Sequence, residues 1–203
     1  MSKKISIVVL ASGRGSNLQA LIQAQPGYGS YEIKAVVSDI KEAPALNLAL
    51  QANIQTQVVL PIKGEKRADY AQKLIDAIEI HKPDFIVLAG FMRLLAPSFI
   101  AHFSERIINI HPSLLPAFTG LHAQKQALDY GVRFSGCTVH FVDEGCDTGP
   151  IILQSVVPVL ENDTEDTLST RILVEEHKLL PKAVDLLAQN KVKISGRKIN
   201  IGG

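Results

Sequence analysis

The sequence predicts an α/β fold, in which an open, mostly parallel twisted sheet is followed by an antiparallel C-terminal portion. Three observations support this prediction. Short apolar, β-branched runs recur along the chain, segments with helical periodicity separate them, and two segments near the C-terminus alternate apolar and polar residues instead. No repeat, low-complexity segment or linker interrupts this order, so we expect one domain spanning residues 1–203.

The first half is predicted to alternate strands and helices. Residues 5–11 are nearly all apolar and β-branched, which is typical of a strand covered on both faces. A helix should begin at Ser16, because Ser16 and Gln19 have the spacing of a capping box. Periodicity places the other elements of this half: strands at 33–38, 55–60 and 85–89, and helices at 42–52 and 63–81.

The second half begins with an apolar strand at 106–110 that ends at His111. Pro112 and Pro116 lack a backbone donor and disfavour helix, so the chain should leave this strand as a stiff, extended loop. The remaining predicted elements are a helix at 122–131 that a glycine ends, an antiparallel strand pair at 136–142 and 151–159, a helix at 164–188, and a short edge strand after Lys191.

Composition argues against several classes of function. Hydrophobic residues make up 46% of the chain and charged residues 20%, as in globular proteins, and a net charge of +1 provides no broad surface for nucleic acid or an anionic membrane. No apolar run approaches the roughly 18 residues that a membrane-spanning helix needs. The two cysteines are too few for a disulfide framework or a zinc knuckle. We therefore expect a cytoplasmic protein with no metal, no nucleic-acid partner and no membrane contact.

A glycine-rich turn follows the first strand. Between Ser12 and Asn17, two glycines let backbone N–H groups converge, and the helix N-terminus adds donors for an anion. The turn lacks the Lys-Ser/Thr of a nucleoside-triphosphate loop, and Leu18 stands where a dinucleotide fingerprint has its third glycine, so a phosphate monoester fits it better. Asp39, after the second strand, argues instead for a dinucleotide ribose. A tight turn without a ligand is the third interpretation.

Asn109 and His111 are the main candidates for chemistry. Strand alternation puts both on one face, where an amide donor and an imidazole can serve developing negative charge and proton transfer. Asp147 lies in a glycine-bearing turn, and if that turn folds back toward His111, its charge would favour the protonated imidazole. A lone histidine at a strand end is equally often a packed or solvated residue.

The remaining acidic candidates have more than one interpretation. Asp143 and Glu144 share the turn of Asp147, where acids are mostly solvated caps. A metal site that combines these acids with His140 is conceivable, but its spacing matches no ligand motif. On the last helix, Glu176 falls beside the apolar stripe. It points either to water or into a cleft, because an ionised carboxylate is costly to bury without a partner.

Five motifs occur in an order that resembles a known family. They are Gly13-x-Gly15-Ser16-Asn17, Ala89-Gly90-Phe91-Met92-Arg93, Asn109-Ile110-His111-Pro112-Ser113-Leu114-Leu115-Pro116, Gly120-Leu121-His122 and Asp147-x-Gly149-Pro150. Together they resemble the folate-dependent phosphoribosylglycinamide formyltransferases of purine synthesis. The resemblance extends over nearly the whole chain, from Ile5 to Leu187, and it implies a Rossmann-like formyltransferase fold.

The resemblance also implies a reaction and its residues. The formyl group of 10-formyltetrahydrofolate, the co-substrate, would pass to the amine of glycinamide ribonucleotide by direct attack and through a tetrahedral intermediate. The catalytic residues would be Asn109, His111 and Asp147. Glycinamide ribonucleotide would contact Gly13, Arg14, Gly15, Ser16, Asn17 and, through its ribose, Glu176. The folate would contact Met92, Arg93, Leu94, Leu95, Asn109, Asp143, Glu144 and Asp147.

The family further implies a cis peptide bond between Leu115 and Pro116. The sequence leaves the oligomeric state open between a monomer and a homodimer. The sequence departs from the family at Gln124, where many members have a second histidine, and at 117–119, where a more basic stretch is usual. These departures bear on ligand affinity and not on the chemistry.

Three alternative functions share part of this pattern. A methionyl-tRNA formyltransferase has the same proline loop but would need a further C-terminal domain and a basic face, whereas this chain ends at Gly203 and is near neutral. A formyltetrahydrofolate hydrolase normally carries an extra N-terminal regulatory segment. A nucleotide-binding module or dinucleotide-dependent oxidoreductase would use Asp39 and the glycine-rich turn, but would leave Asn109, His111 and Asp147 unexplained.

Overall fold

The computed structural model describes residues 4–202, so residues 1–3 and 203 of the predicted domain lie outside the described part. The elements in chain order are β1 (Ile5–Leu10), α1 (Ser16–Tyr28), β2 (Tyr31–Ser38), α2 (Pro44–Gln51), β3 (Gln55–Val58), α3 (Arg67–Glu79), β4 (Phe85–Leu88), α4 (Pro97–His102), β5 (Ile107–His111), α5 (Ala123–Tyr130), β6 (Phe134–Phe141), β7 (Ile151–Pro158), α6 (Glu165–Ala188), β8 (Val192–Ser195) and β9 (Lys198–Ile201). Strands β1 to β7 form one sheet in the order β3-β2-β1-β4-β5-β6-β7. The predicted α/β fold is thus confirmed. The chain divides into two compact units, one ending at Ile108 and the other beginning at Asn109.

In the described part of the unit that ends at Ile108, parallel strands lie in the order β3-β2-β1-β4. The central strand β1 pairs on both edges, and residues 7–10 are completely buried, which explains its apolar sequence. Parallel strands bring their carboxyl ends to one edge of the sheet, so the segments that follow β1, β2 and β4 meet there. The backbone amide of Ser12 donates to the carbonyl of Gly90 at this edge (3.0 Å).

Helix α1 begins at Ser16 as predicted, but the predicted capping box is wrong. Its N-cap is Gly15, with φ of 80°, and no described side chain caps the helix. A Cβ on Gly15 would lie 2.8 Å from the Cα of Ala45 in α2, so the close approach of the two segments admits only glycine. The glycine therefore serves the packing of the turn as well as its conformation.

The short helix α4 was not predicted. It has six residues, too few for a periodic signal, and begins at Pro97 directly after the extended Ala96. Its buried side chain, Phe99, packs against Phe103 with ring centroids 5.0 Å apart. This aromatic pair fixes the segment that leads into β5.

In the unit that begins at Asn109, β6 and β7 are antiparallel, as predicted. Helix α6 packs on both strands. Its buried apolar residues are Leu168, Ile172, Leu179, Leu180, Pro181, Ala183, Val184 and Leu187. The helix begins with a capping box, in which Thr164 and Thr167 exchange hydrogen bonds between side chain and backbone. Among the described residues, no helix is both long and apolar enough to cross a membrane.

The C-terminal tail differs from the prediction of a single edge strand. It forms a hairpin of its own, in which β8 and β9 pair antiparallel from Val192 with Ile201 to Ser195 with Lys198. Gly196, with φ of 61°, supplies the left-handed residue in the tight connection. The sequence signal for this turn is the Ser-Gly pair at 195–196.

Candidate active site

The end of β5 carries Asn109 and His111. His111 is 5% exposed and Asn109 is half-buried, as expected where a strand ends at the edge of a sheet. The Nε2 atom of His111 lies 2.8 Å from the carbonyl oxygen of Phe118. A carbonyl can only accept, so Nε2 carries a proton and donates it.

The proline loop after β5 is held by two side chains. The hydroxyl of Thr138 donates to the carbonyl of Ser113 (2.7 Å) and accepts from the amide of Leu115 (3.1 Å). The side-chain amide of Gln154 donates to the carbonyl of Leu115 (2.9 Å) and to the Thr138 hydroxyl (3.0 Å). The peptide bond between Leu115 and Pro116 is cis, which confirms the expectation from the family. Thr138 and Gln154 were not among the predicted site residues.

Asp147 lies against His111. Its Oδ2 is 3.3 Å from Nδ1 of His111, and the two side chains are 14% and 6% exposed. The amide of Gly120 donates to the same Oδ2 (2.8 Å). Both ring nitrogens of His111 therefore face oxygen acceptors. The structure thus brings together two of the three residues expected to be catalytic.

His140 joins this cluster, although the sequence pointed only to a doubtful metal site. Its Nε2 lies 3.3 Å from Nδ2 of Asn109 and 3.7 Å from Oδ1 of Asp147. Its Nδ1 lies 2.8 Å from the carbonyl oxygen of Phe141. Burial lowers the pKa of His140, so the ring is neutral, its proton is on Nδ1, and its Nε2 accepts from Asn109. Within residues 4–202, His140 is the one hydrogen-bond partner of this amide nitrogen, so its second N–H can serve a ligand.

The period of two along β6 could have placed His140 and Thr138 on one face of that strand. Periodicity does not say which residues that face meets, however. The contact with Asn109 therefore became visible only in the structure.

The acids of the turn before Asp147 differ in their surroundings. Asp143 accepts hydrogen bonds from the amide of Gly145 (3.1 Å) and the hydroxyl of Thr148 (2.6 Å), so its carboxylate stabilises its own turn. Glu144 is exposed. Asp143 therefore acts as a turn cap in this structure, whereas Glu144 is accessible to a ligand.

Glu176 is 6% exposed, so the interpretation that it points to water is wrong. Its neighbour Glu175 behaves as a surface acid, since it accepts from the hydroxyl of Ser155 (2.8 Å) and from Lys178 (2.7 Å). The two adjacent glutamates thus lie in different environments. Helical periodicity could not predict this difference, because it places Glu176 at the border of the apolar stripe of α6.

In the other unit, the glycine-rich turn lies at the N-terminus of α1. Arg14 is exposed, Ser16 is half-buried and Asn17 is buried. A Cβ on Gly13 would meet no atom within 4 Å, so the backbone is open to a ligand there. A helix N-terminus that no described side chain caps, with an open backbone before it, fits an anion.

Asp39 does not have the surroundings of a ribose-binding acid. Its Oδ1 accepts from the hydroxyl of Ser12 (2.6 Å) and its Oδ2 from Nε of Arg93 (3.1 Å). The same Ser12 hydroxyl accepts from the amide of Met92 (3.0 Å). Both carboxylate oxygens are thus engaged within the unit, which argues against the dinucleotide interpretation.

A cavity of about 440 Å³ lies beside Arg93. Leu94 and Leu95 also line it, together with the 61–67 segment and the face of α3 that carries Tyr70. Tyr70 packs its ring against the guanidinium of Arg93 (5.2 Å to the centroid), and burial raises the pKa of its phenol to about 12. The cavity combines apolar walls with cationic side chains, which fits an amphipathic anionic ligand.

The described residues contain no group of three or more His, Cys, Asp or Glu side chains arranged to hold a metal ion. His140, Asp143, Glu144 and Asp147 therefore do not form the metal site that the sequence left conceivable. Cys137 is buried and Cys146 is exposed, and both are free thiols.

Comparison with known proteins agrees with this geometry. Residues 5–184 match the sequence profile of the formyl transferase family. The phosphoribosylglycinamide formyltransferase of Escherichia coli strain K12 is 42% identical over 191 residues, which is 94% of this chain and 90% of that protein. The glycinamide ribonucleotide transformylase 1 of Symbiobacterium toebii is 44% identical with a TM-score of 0.95, over 98% of this chain and 95% of that one.

A formyltetrahydrofolate deformylase from Pseudomonas syringae pv. tomato has nearly the same fold, with a TM-score of 0.92, but is only 26% identical, and the match covers all of this chain and 67% of that one. The fold alone does not distinguish the phosphoribosylglycinamide formyltransferases from the deformylase. Sequence identity and the share of the relative's length that is matched do distinguish them. The resemblance carried by the five motifs is confirmed. The chain therefore belongs to the formyl transferase family, on the side of the phosphoribosylglycinamide formyltransferases.

Proposed function

We propose that this chain transfers the formyl group of 10-formyltetrahydrofolate to the amine of glycinamide ribonucleotide in de novo purine biosynthesis. The observation that carries the proposal is the contact of the buried His111 with Asp147, in a chain of this family. His140 lies between Asp147 and Asn109 and so brings Asn109 into the same cluster. The similar proteins named for this activity support the choice of substrates. In keeping with the composition, the proposal includes a cytoplasmic enzyme, either a monomer or a homodimer.

The reaction needs no protein nucleophile, because the free amine of the substrate attacks the formyl carbon directly. Holding both substrates in one orientation can lower the barrier by up to about 7–11 kcal/mol. The chemical work left to the protein is to stabilise the oxyanion of the tetrahedral intermediate and to move a proton. Asn109, His111 and Asp147 have the functional groups for both tasks.

Asn109 and His111 would stabilise the oxyanion. Asn109 has one N–H on His140 and a second available, and a single donor of this kind is typically worth about 3–4 kcal/mol. His111 would contribute the positive charge of its ring in a site from which water is largely excluded. The carbonyl of Phe118 accepts the Nε2 proton in this structure, so an oxyanion would compete with that carbonyl for it.

Asp147 would keep His111 cationic and relay a proton from the attacking amine to the departing folate nitrogen, directly or through water. Its contact with Nδ1 of His111 supports the first role. The amide of Gly120 holds Oδ2, so Oδ1 is the oxygen better placed to accept a proton.

The substrate-binding residues remain as the family implies. The phosphate of glycinamide ribonucleotide would take the turn formed by Gly13, Arg14, Gly15, Ser16 and Asn17, and Glu176 would accept from the ribose hydroxyls. The uncapped N-terminus of α1 supports the first assignment. The burial of Glu176 supports the second, because a buried carboxylate serves recognition better than a solvated one.

The folate-binding residues would be Met92, Arg93, Leu94, Leu95, Asn109, Asp143, Glu144 and Asp147. The cavity beside Arg93, with Leu94 and Leu95 in its walls, supports the assignment of these three residues. The hydrogen bonds of Asp143 within its own turn favour an indirect role for that residue, which would shape the turn that carries Asp147.

Deformylation is the second candidate, because a deformylase shares the fold at a TM-score of 0.92. Hydrolysis uses the same oxyanion and a water molecule in place of the amine. The test is to follow tetrahydrofolate release from 10-formyltetrahydrofolate with and without glycinamide ribonucleotide. Release that requires the acceptor supports the transferase, whereas equal release without it would move the protein to the deformylases.

A further inference from the structure

Asp39 lies at the centre of a hydrogen-bonded chain that spans three strand ends of one unit. Ser12 follows β1, Asp39 follows β2, and Arg93 lies a few residues after β4. Asp39 accepts from both Ser12 (2.6 Å) and Arg93 (3.1 Å), and its side chain is 8% exposed. A carboxylate so nearly buried requires such partners, because an unpaired charge is costly there.

Arg93 is restrained on two sides. Asp39 binds its Nε, and the ring of Tyr70 packs against its guanidinium at 5.2 Å from the ring centroid. The phenol of Tyr70 donates in turn to the carbonyl of Val59 (3.0 Å), which fixes the ring. The Arg93 side chain is nevertheless 43% exposed, so it remains accessible to a ligand while it has lost much of its rotamer freedom.

Ser12 extends this restraint to the backbone. Its hydroxyl donates to Asp39 and accepts from the amide of Met92 (3.0 Å), while its own amide donates to the carbonyl of Gly90 (3.0 Å). Ser12 is also the residue before Gly13, where the glycine-rich turn begins. One hydroxyl therefore links that turn to the segment that carries Arg93.

We propose that Asp39 is a positioning residue for the formyl donor: with Ser12 it holds Arg93 and the Met92 backbone in the orientation that binds the folate. This inference rests on the proposed function, because it assumes that Arg93 contacts the donor. Asp39 itself touches no substrate in this account. Asp39 acts by restricting the conformations of Arg93 before the donor binds. Binding of the donor then costs less conformational entropy.

The substitution that tests this role is Asp39→Asn. Asparagine keeps an oxygen for the Ser12 hydroxyl but presents an N–H₂ to the Nε–H of Arg93, so only the contact with Arg93 is lost. The KM for 10-formyltetrahydrofolate should rise about tenfold, the factor that corresponds to about 1.4 kcal/mol of lost interaction. The KM for glycinamide ribonucleotide should stay unchanged, because no proposed contact to that substrate is altered.

Asp84→Asn is the matched control. Asp84 accepts from both the amide and the hydroxyl of Ser6 (2.6 and 2.9 Å), at the ends of β1 and β4 that lie opposite Ser12 and Arg93. It is thus a second Ser–Asp pair in the same unit, and no arginine of the described chain binds its carboxylate. Its substitution should change neither KM. A donor KM that rises equally in both variants would indicate a general loss of structure and would contradict the proposal.

A double-mutant cycle separates positioning from a structural role. In an Arg93→Ala background, Asp39→Asn should have no further effect on the donor KM, since its action passes through the arginine. An additional rise there, or a donor KM in the Asp39→Asn variant that equals the wild-type value, would overturn the inference. If the Asp39→Asn variant fails to fold, Ser12→Ala, which removes the link to Met92, tests the inference in its place. This substitution should raise the donor KM, and an unchanged donor KM would overturn the inference.

The same cycle can be measured on thermal unfolding without any ligand. It distinguishes a failure of the Asp39 inference from a failure of the proposed function. Non-additive Tm shifts for the two substitutions establish the Asp39–Arg93 contact whatever the reaction is, and additive shifts contradict it. A wild-type protein with no folate-dependent turnover would instead refute the proposed function, and with it the role assigned to Arg93.

Discussion

Nδ1 of His111 lies 3.3 Å from Oδ2 of Asp147, although the two residues are far apart in the sequence. The side chains are 6% and 14% exposed, so the contact is sheltered from solvent, and electrostatic interactions are stronger there than at the surface. Each ring nitrogen of His111 thus has an oxygen partner in the absence of a ligand, the carboxylate of Asp147 on one side and the carbonyl of Phe118 on the other. The pair is thus the element of the site on which the proposed chemistry depends most.

Asp147→Asn should reduce turnover by about 100-fold or more, the range of a lost proton-transfer group. The side chain keeps its size but loses the charge beside His111 and the ability to accept a proton. Binding of glycinamide ribonucleotide, measured by calorimetry, should be unchanged, because its phosphate is assigned to the turn at 12–17. Asp129→Asn, which alters an exposed acid paired with Lys125, serves as the control. Wild-type turnover in a folded Asp147→Asn protein would refute the role of this residue.

The stability of the protein should fall as the pH drops from about 7 to 5, in part because of His140. Burial lowers the pKa of this histidine in the folded state. The charges of Asp147 and Asp143 raise the pKa, but their effect is smaller than that of burial. Below the unfolded value of 6.5 the unfolded chain binds the proton first, so its uptake favours unfolding. Unfolding midpoints of His140→Gln should depend less on pH than those of the wild type or of His102→Gln, a change at the surface. Parallel curves for all three proteins would contradict this.

Gly15→Ala should destabilise the protein by more than about 1–2 kcal/mol, the cost of a left-handed non-glycine residue alone. Gly15 has φ of 80°, and its new Cβ would lie 2.8 Å from the backbone of Ala45. Gly13→Ala is the matched control in the same turn, because its Cβ would meet nothing within 4 Å and its backbone is not left-handed. Urea unfolding measures both, and equal losses would show that the turn tolerates the added atom.

Thr138→Val should cost about 1–3 kcal/mol, because it leaves the buried amide of Leu115 without its acceptor. The shape of the side chain is kept, so the loss reports the hydroxyl alone. Thr170→Val, on the exposed face of α6, should have little effect by comparison. Equal unfolding midpoints for the two variants would mean that the proline loop does not depend on Thr138.

Local sequence patterns predicted most of the fold. Within the described residues, apolar runs and helical periodicity predicted every strand of the main sheet and every helix except α4, to within a few residues. The exception among the helices, Pro97–His102, is too short for a periodic signal, and its proline start was its one indication. The sequence after residue 191 predicts an edge strand and not the hairpin, because a single Ser-Gly pair is its one turn signal.

The site was predictable only in part. Alternation placed Asn109 and His111 on one face, but the approach of Asp147 depends on how a loop folds back, which no periodicity encodes. Asp39 is the opposite case: its position after a strand indicated a ligand, but its carboxylate binds Ser12 and Arg93, which come from distant segments. The sequence can show which side chains share one face of a strand or helix. Contacts between distant segments became known only from the structure.

The most direct test of the central claim is formyl transfer from 10-formyltetrahydrofolate to glycinamide ribonucleotide by the wild type, by His111→Ala and by the surface control His102→Ala, each with and without acceptor. We expect turnover that requires the acceptor in the wild type and in His102→Ala, and its loss in His111→Ala. Undiminished transfer by a folded His111→Ala protein, or folate turnover that ignores the acceptor, would contradict it.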